Sequence, residues 1–435
     1  MNLRRLKLFP FLLFLAGILI LSEGLSLGEE SQLPLLHPPG APYRTPRAGE
    51  GFRTEVLGHR ITVQPQNRRS VSAWEIGAEI NKPAPEDASV LPFGTLYFWR
   101  HPDDKHLLRI EATGIANDVF WAHSPQSSGS FEWVLTFNNF TLPFAKAELV
   151  DGRALKSEEL LWGYVRPGFG LGFRKQVAPG HQDNMLSVDL TVEPGFLFFD
   201  KSSKTADNFA VPHDTFELRS HLQVQLDAVE RNLLELAHRG IASGADLVYG
   251  HRLKWGNWGL NNSEGADGRN YLSLTGFFLA AGGVPGIQSE RHRLLGSVHG
   301  GIGSRLDRFS APRIGGGPIP MGEEYGSTSM PILPGASFAE FYPKHYLLAV
   351  GEYRWEPVFF TYVGLTSSIG WLDRLRITET GISRKDDVLS SIGARVTTGF
   401  FFNTRLQLAY NYNFSVVRHE HFGGHEIVAV LTGKF

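Results

Sequence analysis

Cysteine is absent from all 435 positions, which removes disulfides, thiolate metal sites and a cysteine nucleophile together. A second long apolar run is also missing. No stretch after residue 21 reaches the roughly 18–20 apolar residues that a spanning helix needs, so a membrane helix bundle is excluded although 42% of residues are hydrophobic. Neither sign of charge dominates: 42 Lys and Arg face 44 Asp and Glu, whereas a nucleic-acid partner would call for a basic excess. There is no internal repeat, no coiled coil and no Gly-x-Ser-x-Gly elbow.

What is present is a period of two. Thr404, Leu406, Leu408, Tyr410, Tyr412 and Phe414 interleave with Asn403, Arg405, Gln407, Asn411 and Asn413. Phe216, Leu218, Leu222, Val224 and Leu226 alternate with Glu217, Arg219, His221, Gln223 and Gln225. The last residues do the same, Ile427, Ala429, Leu431, Gly433 and Phe435 against Glu426, Val428, Val430, Thr432 and Lys434. A helix would scatter such residues around its axis, so these runs read as strands with one greasy and one wet face. A half-buried sheet in a soluble sandwich gives the same alternation. Length separates the two, because runs of about 11 residues match a tilted transmembrane strand rather than the ~5–6 usual in globular sheets.

The N-terminus supplies independent evidence. Arg4, Arg5 and Lys7 precede an apolar run from Leu8 to Leu21, followed by Ser22, Gly24 and Ser26, which predicts a cleavable signal peptide over 1–26. Residues 27–51, with Pro34, Pro38, Pro39, Pro42 and Pro46, read as an unstructured linker. The remainder, 52–435, is expected to be one all-β, antiparallel transmembrane barrel of about 16 strands in a bacterial outer membrane.

The expected strands are 53–63, 69–81, 92–101, 106–122, 130–140, 160–177, 184–199, 213–226, 241–255, 269–281, 293–305, 345–356, 358–371, 388–399, 403–414 and 425–435. Trp355-Glu356-Pro357 and Phe400-Phe401-Phe402 are expected as tight periplasmic turns, and 200–212, 306–344 and 372–387 as long outer connections. Segment 227–240 breaks the alternation as a long periplasmic connector, its Leu233, Leu234 and Leu236 spaced for a short helical turn. Trp255, Trp258, Tyr362 and Trp371 suit interface girdles.

The final third resembles the barrel of the BamA/TamA-type outer-membrane assembly family, the bacterial surface antigen barrel. His345 to Arg354, ending Glu352-Tyr353-Arg354, resembles the family's strand with a Glu-aromatic-Arg triplet. Phe359 to Trp371 resembles the next strand, Ser391 to Val396 with Thr404 to Leu408 the penultimate hairpin, and Leu431 to Phe435 the C-terminal targeting strand. A weaker likeness runs through Arg231, Arg239-Gly240 and Tyr249-Gly250. The resemblance implies a lumen-entering loop, here 308–344, rich in Gly and Pro. The family's loop tip carries an Arg-Gly-aromatic signature; the nearest match here, Gly322-Glu323-Glu324-Tyr325-Gly326, has acid in place of the arginine. Arg313, Glu323, Glu324, Tyr325, Glu352, Arg354 and Arg395 are the candidate loop and anchor residues, with Glu323 or Glu324 paired to Arg354 or Arg395. The segment before the barrel is too short for the family's periplasmic domains, so the barrel is expected alone.

Three functions follow as expectations: an assembly or translocation scaffold as the resemblance implies, a passive channel whose wet lumen is lined by Arg, Gln and Asn, and a surface lipid hydrolase. The hydrolase has the weakest footing, because the nearest His-Ser pair, His123-Ser124, falls in a periplasmic turn. His419, His421 and His425 with Glu420 or Glu426 have ligand-like spacing but read as a solvated loop, and Gly315-Gly316-Gly317 reads as a turn. No cofactor, metal or enzymatic activity is expected. The expected partners are outer-membrane lipids, the assembly machinery during biogenesis and client proteins of unknown identity, without nucleic acid.

Overall fold

The computed structural model describes residues 33–435 apart from 57, 86–88, 104, 126–129, 142–144, 178–184, 263–265, 318–329, 380, 400–403, 419 and 435. Its period-two segments pair edge to edge until the last meets the first, closing an antiparallel barrel of sixteen strands. Labelled in chain order, the wall begins with β1 Ser70–Lys82, β2 Val90–Asp103, β3 His106–Ala112, β4 Ala116–His123 and β5 Phe131–Thr141. The long strands β6 Leu160–Gln176, β7 Met185–Lys201, β8 Thr215–Arg231 and β9 Ala237–Arg252 follow. Next come β10 Asn270–Gly283, β11 His292–Ser304, β12 His345–Val358 and β13 Thr361–Thr378. β14 Gly381–Gly399, β15 Thr404–Arg418 and β16 His421–Lys434 complete it. The closing seam runs from His425↔Lys82 to Lys434↔Ala73.

The expected and observed counts agree through two compensating differences. Segment 53–63 is a separate hairpin, Phe52–Val56 with His59–Val63, outside the wall. The expected single strand 106–122 is the hairpin β3–β4, folded at Gly114 with a positive φ of 80°. The wall therefore starts at Ser70 rather than at 52. The long connector expected at 227–240 is also corrected, because β8 and β9 run through it and only 232–236 turns. Asn232 caps that turn with its Oδ1, which accepts from the N–H of Leu234 and of Leu236 at 3.0 Å each. The outer loop expected at 372–387 is the paired end of β13 and β14, and the turn expected at Trp355-Glu356-Pro357 falls at Phe359-Phe360. The turn expected at Phe400-Phe401-Phe402 lies outside the described residues.

The wall is greasy outside. Phe216, Leu218, Ile369, Val388, Leu408 and Tyr410 are exposed, while Glu217, Gln225, Arg405, Gln407, Asn413 and Glu426 are buried within the barrel. A soluble barrel would reverse this arrangement, so the barrel is of the membrane-spanning, outer-membrane type. Trp371 lies on the outer face as expected for a girdle. Tyr362 does not: nine positions away on the same strand, it falls on the opposite face and is buried.

Both mouths are covered. At the end that carries Ser70 and Lys434, called here the terminal mouth, residues from 33 onward are docked rather than free, which corrects the expected linker over 33–51. The N–H of Leu233 donates to Pro46 O, that of Ala48 to Arg231 O and that of Thr45 to Glu290. At the far mouth, segment 145–159 reaches across: Glu148 accepts two bonds from Arg313 at 2.6 and 2.8 Å, and Asp151 meets Arg376 at 2.8 Å. Beneath it Trp162, Phe209, Trp255, Trp258 and Phe309 form a buried aromatic cluster. Trp255 and Trp258 thus belong to this roof and not to a lipid girdle.

Candidate functional site

The lumen is where the chain spends its polar side chains, and the described parts of the connection between β11 and β12, 305–317 and 330–344, enter it from the far mouth. Ile314, Leu333, Ala336 and Phe341 of the loop pack on Tyr346, Leu348, Leu372, Leu389 and Val416, an apolar patch on the inner face of β12 to β15. Inward-facing apolar residues exposed to water would cost about 25 cal/mol for each Å², so this patch requires a cover, and the loop supplies it.

Polar contacts fix the loop's path. Glu426 of β16 accepts from Gly317 N at 2.6 Å and from Gly335 N at 2.8 Å. Glu79 of β1 accepts from Phe338 N at 3.0 Å. Arg418 of β15 forks onto Glu340 of the loop at 2.6 and 2.7 Å. Glu79 and Glu426 stand on the two strands that close the barrel, where Glu79 pairs with Val428 and Glu426 with Asn81. The loop backbone is therefore tied to both sides of the closing seam. Glycine makes the approach possible: a Cβ on Gly316 would sit 2.1 Å from Glu426 Oε1, and Gly317 and Gly335 both have positive φ.

These anchors differ from the expected ones. Glu323, Glu324 and Tyr325 lie outside the described residues, as does Phe435. Arg354 and Arg395 both bond to Glu352, Arg354 Nε at 2.8 Å. Arg354 also donates to Ala237 O at 2.7 Å. Arg313 does hold the loop, through Glu148 at the far mouth rather than through the wall. Sequence reasoning missed Glu79, Glu426, Glu340 and Arg418. Their one signal was position, an acid on the wet face of the first and of the last strand, together with a glycine triplet that read as a simple turn.

The opposite wall is wet and charged. Arg109 meets Asp118 at 2.8 Å, Arg174 meets Glu132 at 2.9 Å, and His221 lies between Glu193 at 3.2 Å and Asp246 at 3.1 Å. Arg166 and Arg252 both reach Glu217, at 2.9 and 3.0 Å. Between the loop and the turn 232–236 a cavity of about 190 Å³ remains. Of the histidines near the last hairpin, His419 lies outside the described residues, and His425 bonds Tyr410 on the outer face while Glu426 accepts from the loop. His123 ends β4 beside the ring of His106.

No protein-family model matches this chain, and no curated protein matches it in sequence. Solved structures similar to it include CdiB from Acinetobacter baumannii, at 9% identity and a TM-score of 0.48, over 89% of this chain and 64% of that one. BamA from Haemophilus ducreyi lacking POTRA domains 1–3 gives 9% and 0.49, over 89% and 75%. OccAB1 from Acinetobacter baumannii gives 10% and 0.33, over 84% and 96%. The chain spans less than two thirds of the CdiB chain. Each likeness concerns the barrel fold at very low identity, and none assigns an activity.

Proposed function

We propose that the chain is a bacterial outer-membrane barrel of the assembly and translocation type, closed by its own loop, with the terminal mouth in the periplasm and the far mouth at the cell exterior. The observation that carries this reading is the attachment of the loop to both strands of the closing seam, through Glu79 and Glu426. A plug tied in this way links occupancy of the lumen to integrity of the seam, a linkage that a polypeptide-admitting scaffold needs and an open pore does not. The sequence resemblance over 345–435 supports the same reading. Its partners would be outer-membrane lipids, the assembly machinery that inserts the barrel itself, and client polypeptides.

A passive channel is the second reading, favoured by one observation: the charged wall opposite the loop is only partly buried, with His221 and Asp246 each 24% exposed inside the barrel. Two measurements separate the readings. In planar bilayers the intact chain should conduct poorly and a variant lacking 316–340 should conduct well. In liposomes the intact chain should accelerate the folding of a urea-denatured eight-stranded barrel, followed by its shift in electrophoretic mobility. Steady conductance from the intact chain without acceleration would establish the channel instead.

A further inference from the structure

The hairpin outside the wall, Phe52–Val56 with His59–Val63, sits at the terminal mouth with one edge taken and one open. Arg53 spends both backbone groups on the docked N-terminal segment: its N–H donates to Pro34 O at 2.9 Å and its C=O accepts from Leu36 N at 2.8 Å. Backbone direction alternates along a strand, so Phe52, Thr54 and Val56 turn their groups toward Val63, Ile61 and His59. The N–H and C=O of Arg60 and Thr62 then point away from the hairpin. Among the described residues nothing bonds to them.

This edge is held in place. Phe52 is fully buried, its ring edge-on to Phe359 of the β12–β13 turn at 5.9 Å, and Thr54 is buried on the same face. Ile61 and Val63 share that face and are half-buried. The opposite face carries Arg53, Glu55, Arg60 and Thr62, all exposed, and among the described residues no ion pair joins either arginine to Glu55. The strand His59–Val63 also lacks the devices that blunt an edge: it has no proline, no lysine and no bulge, and Ile61, Thr62 and Val63 are β-branched.

We propose that this edge binds an extended, acidic segment of a second protein as an added strand. Arg60 and Thr62 each offer one donor and one acceptor at strand spacing, which main-chain pairing recognises. The outward face selects carboxylates opposite Arg60, and the face shared by Ile61 and Val63 selects apolar side chains at alternate positions. An edge already fixed by its own docking has little ordering cost, which favours pairing over continued solvation. The partner's compartment rests on the reading above: with the terminal mouth in the periplasm, the segment belongs to a periplasmic polypeptide. The pairing itself is independent of orientation, and a test in micelles can fail while that reading stands.

The test is binding of a short synthetic peptide alternating Glu with Val to the full chain in detergent micelles, followed by fluorescence anisotropy and by amide hydrogen exchange. In the free chain the amides of Arg60 and Thr62 should exchange freely while those of Ile61 and Val63 are protected. The peptide should slow exchange at Arg60 and Thr62, and its counterpart with Lys in place of Glu should bind more weakly. T62P removes an edge donor without removing a bond of the hairpin, so it should weaken binding roughly tenfold and leave Ile61 and Val63 protected. Should T62P unfold the hairpin, R60E decides instead, because it should reverse the preference between the two peptides. No binding to the intact chain, equal binding to T62P with the hairpin intact, or protection gained at Leu36 instead of at Arg60 and Thr62 would overturn the proposal. Concentration-dependent protection of Arg60 and Thr62 without peptide would overturn it too, since the edge would then pair with a second copy of the chain.

Discussion

Glu148 and Arg313 show how a single pair can fasten an outer segment. Burial opposes ionisation of Glu148, yet Arg313, helped by Arg308 and Lys146, holds its carboxyl down at about 2. A depressed carboxyl contributes stability above its unfolded value of about 4.3, and that contribution is lost as pH falls toward the folded value. Hydrogen exchange of the Leu149–Ala154 segment, corrected for intrinsic rates, should therefore be steady from about pH 8 to 5 and rise between about pH 4 and 2. Glu148→Gln should remove that dependence and lower protection already at neutral pH. A variant that keeps the profile would mean that the segment is held by Asp151 and its Arg376 contact instead. At this scale the sequence was legible by face and not by partner. Alternation put Glu352, Arg354 and Arg395 inside the barrel, but a two-residue period carries no information on which side chains meet across the lumen.

Elements were legible where hydrophobicity marked them and misread where charge did. The ends of β8 and β9 carry Asp227, Glu230, Arg231 and Arg239, and those of β13 and β14 carry Asp373, Arg374, Lys385 and Asp387. Such density reads as loop, yet Arg231 bonds Asp227 and Arg374 bonds Asp387, so the strands continue beyond the hydrocarbon with their charges paired. A different irregularity marks β6 and β7. Their pairing runs to Val165↔Phe196, lapses and resumes at Phe169↔Val192, and the register places Pro167 opposite Pro194 in the lapse. Neither proline has an N–H to donate, so both strands lose their rungs at one level of the wall. Hydrocarbon offers no substitute donors. Pro167→Val with Pro194→Val should restore two bonds at about 1 kcal/mol each and raise the unfolding midpoint in micelles. A lower midpoint would mean that the fixed proline φ, rather than the missing rungs, is what this part of the wall requires.

The whole molecule is a barrel with both mouths covered and both ends of the wall on one side. If that side faces the periplasm, an epitope inserted after Glu379, in the β13–β14 turn, should bind antibody on intact cells. One inserted after Gly58, in the hairpin beneath the terminal mouth, should bind only after the outer membrane is permeabilised. The reverse pattern would invert the orientation and, with it, the direction in which the loop closes the lumen.

The sequence by itself determined the period-two strands, their lipid-facing side chains and the existence of a long Gly- and Pro-rich connection after β11, because these follow from neighbours along one chain. The opposite faces of Tyr362 and Trp371 were available in the same way, from an odd spacing. Tertiary structure alone decided the rest. Glu79 meets Phe338, Glu426 meets Gly317, and Arg47 pairs with Asn232 across separations that no local pattern spans. Those meetings depend on the register in which sixteen strands close and on the path of a loop that has no periodicity. Closure brings the first and last strands together, and only then do two acids on a wet face become the fasteners of a plug.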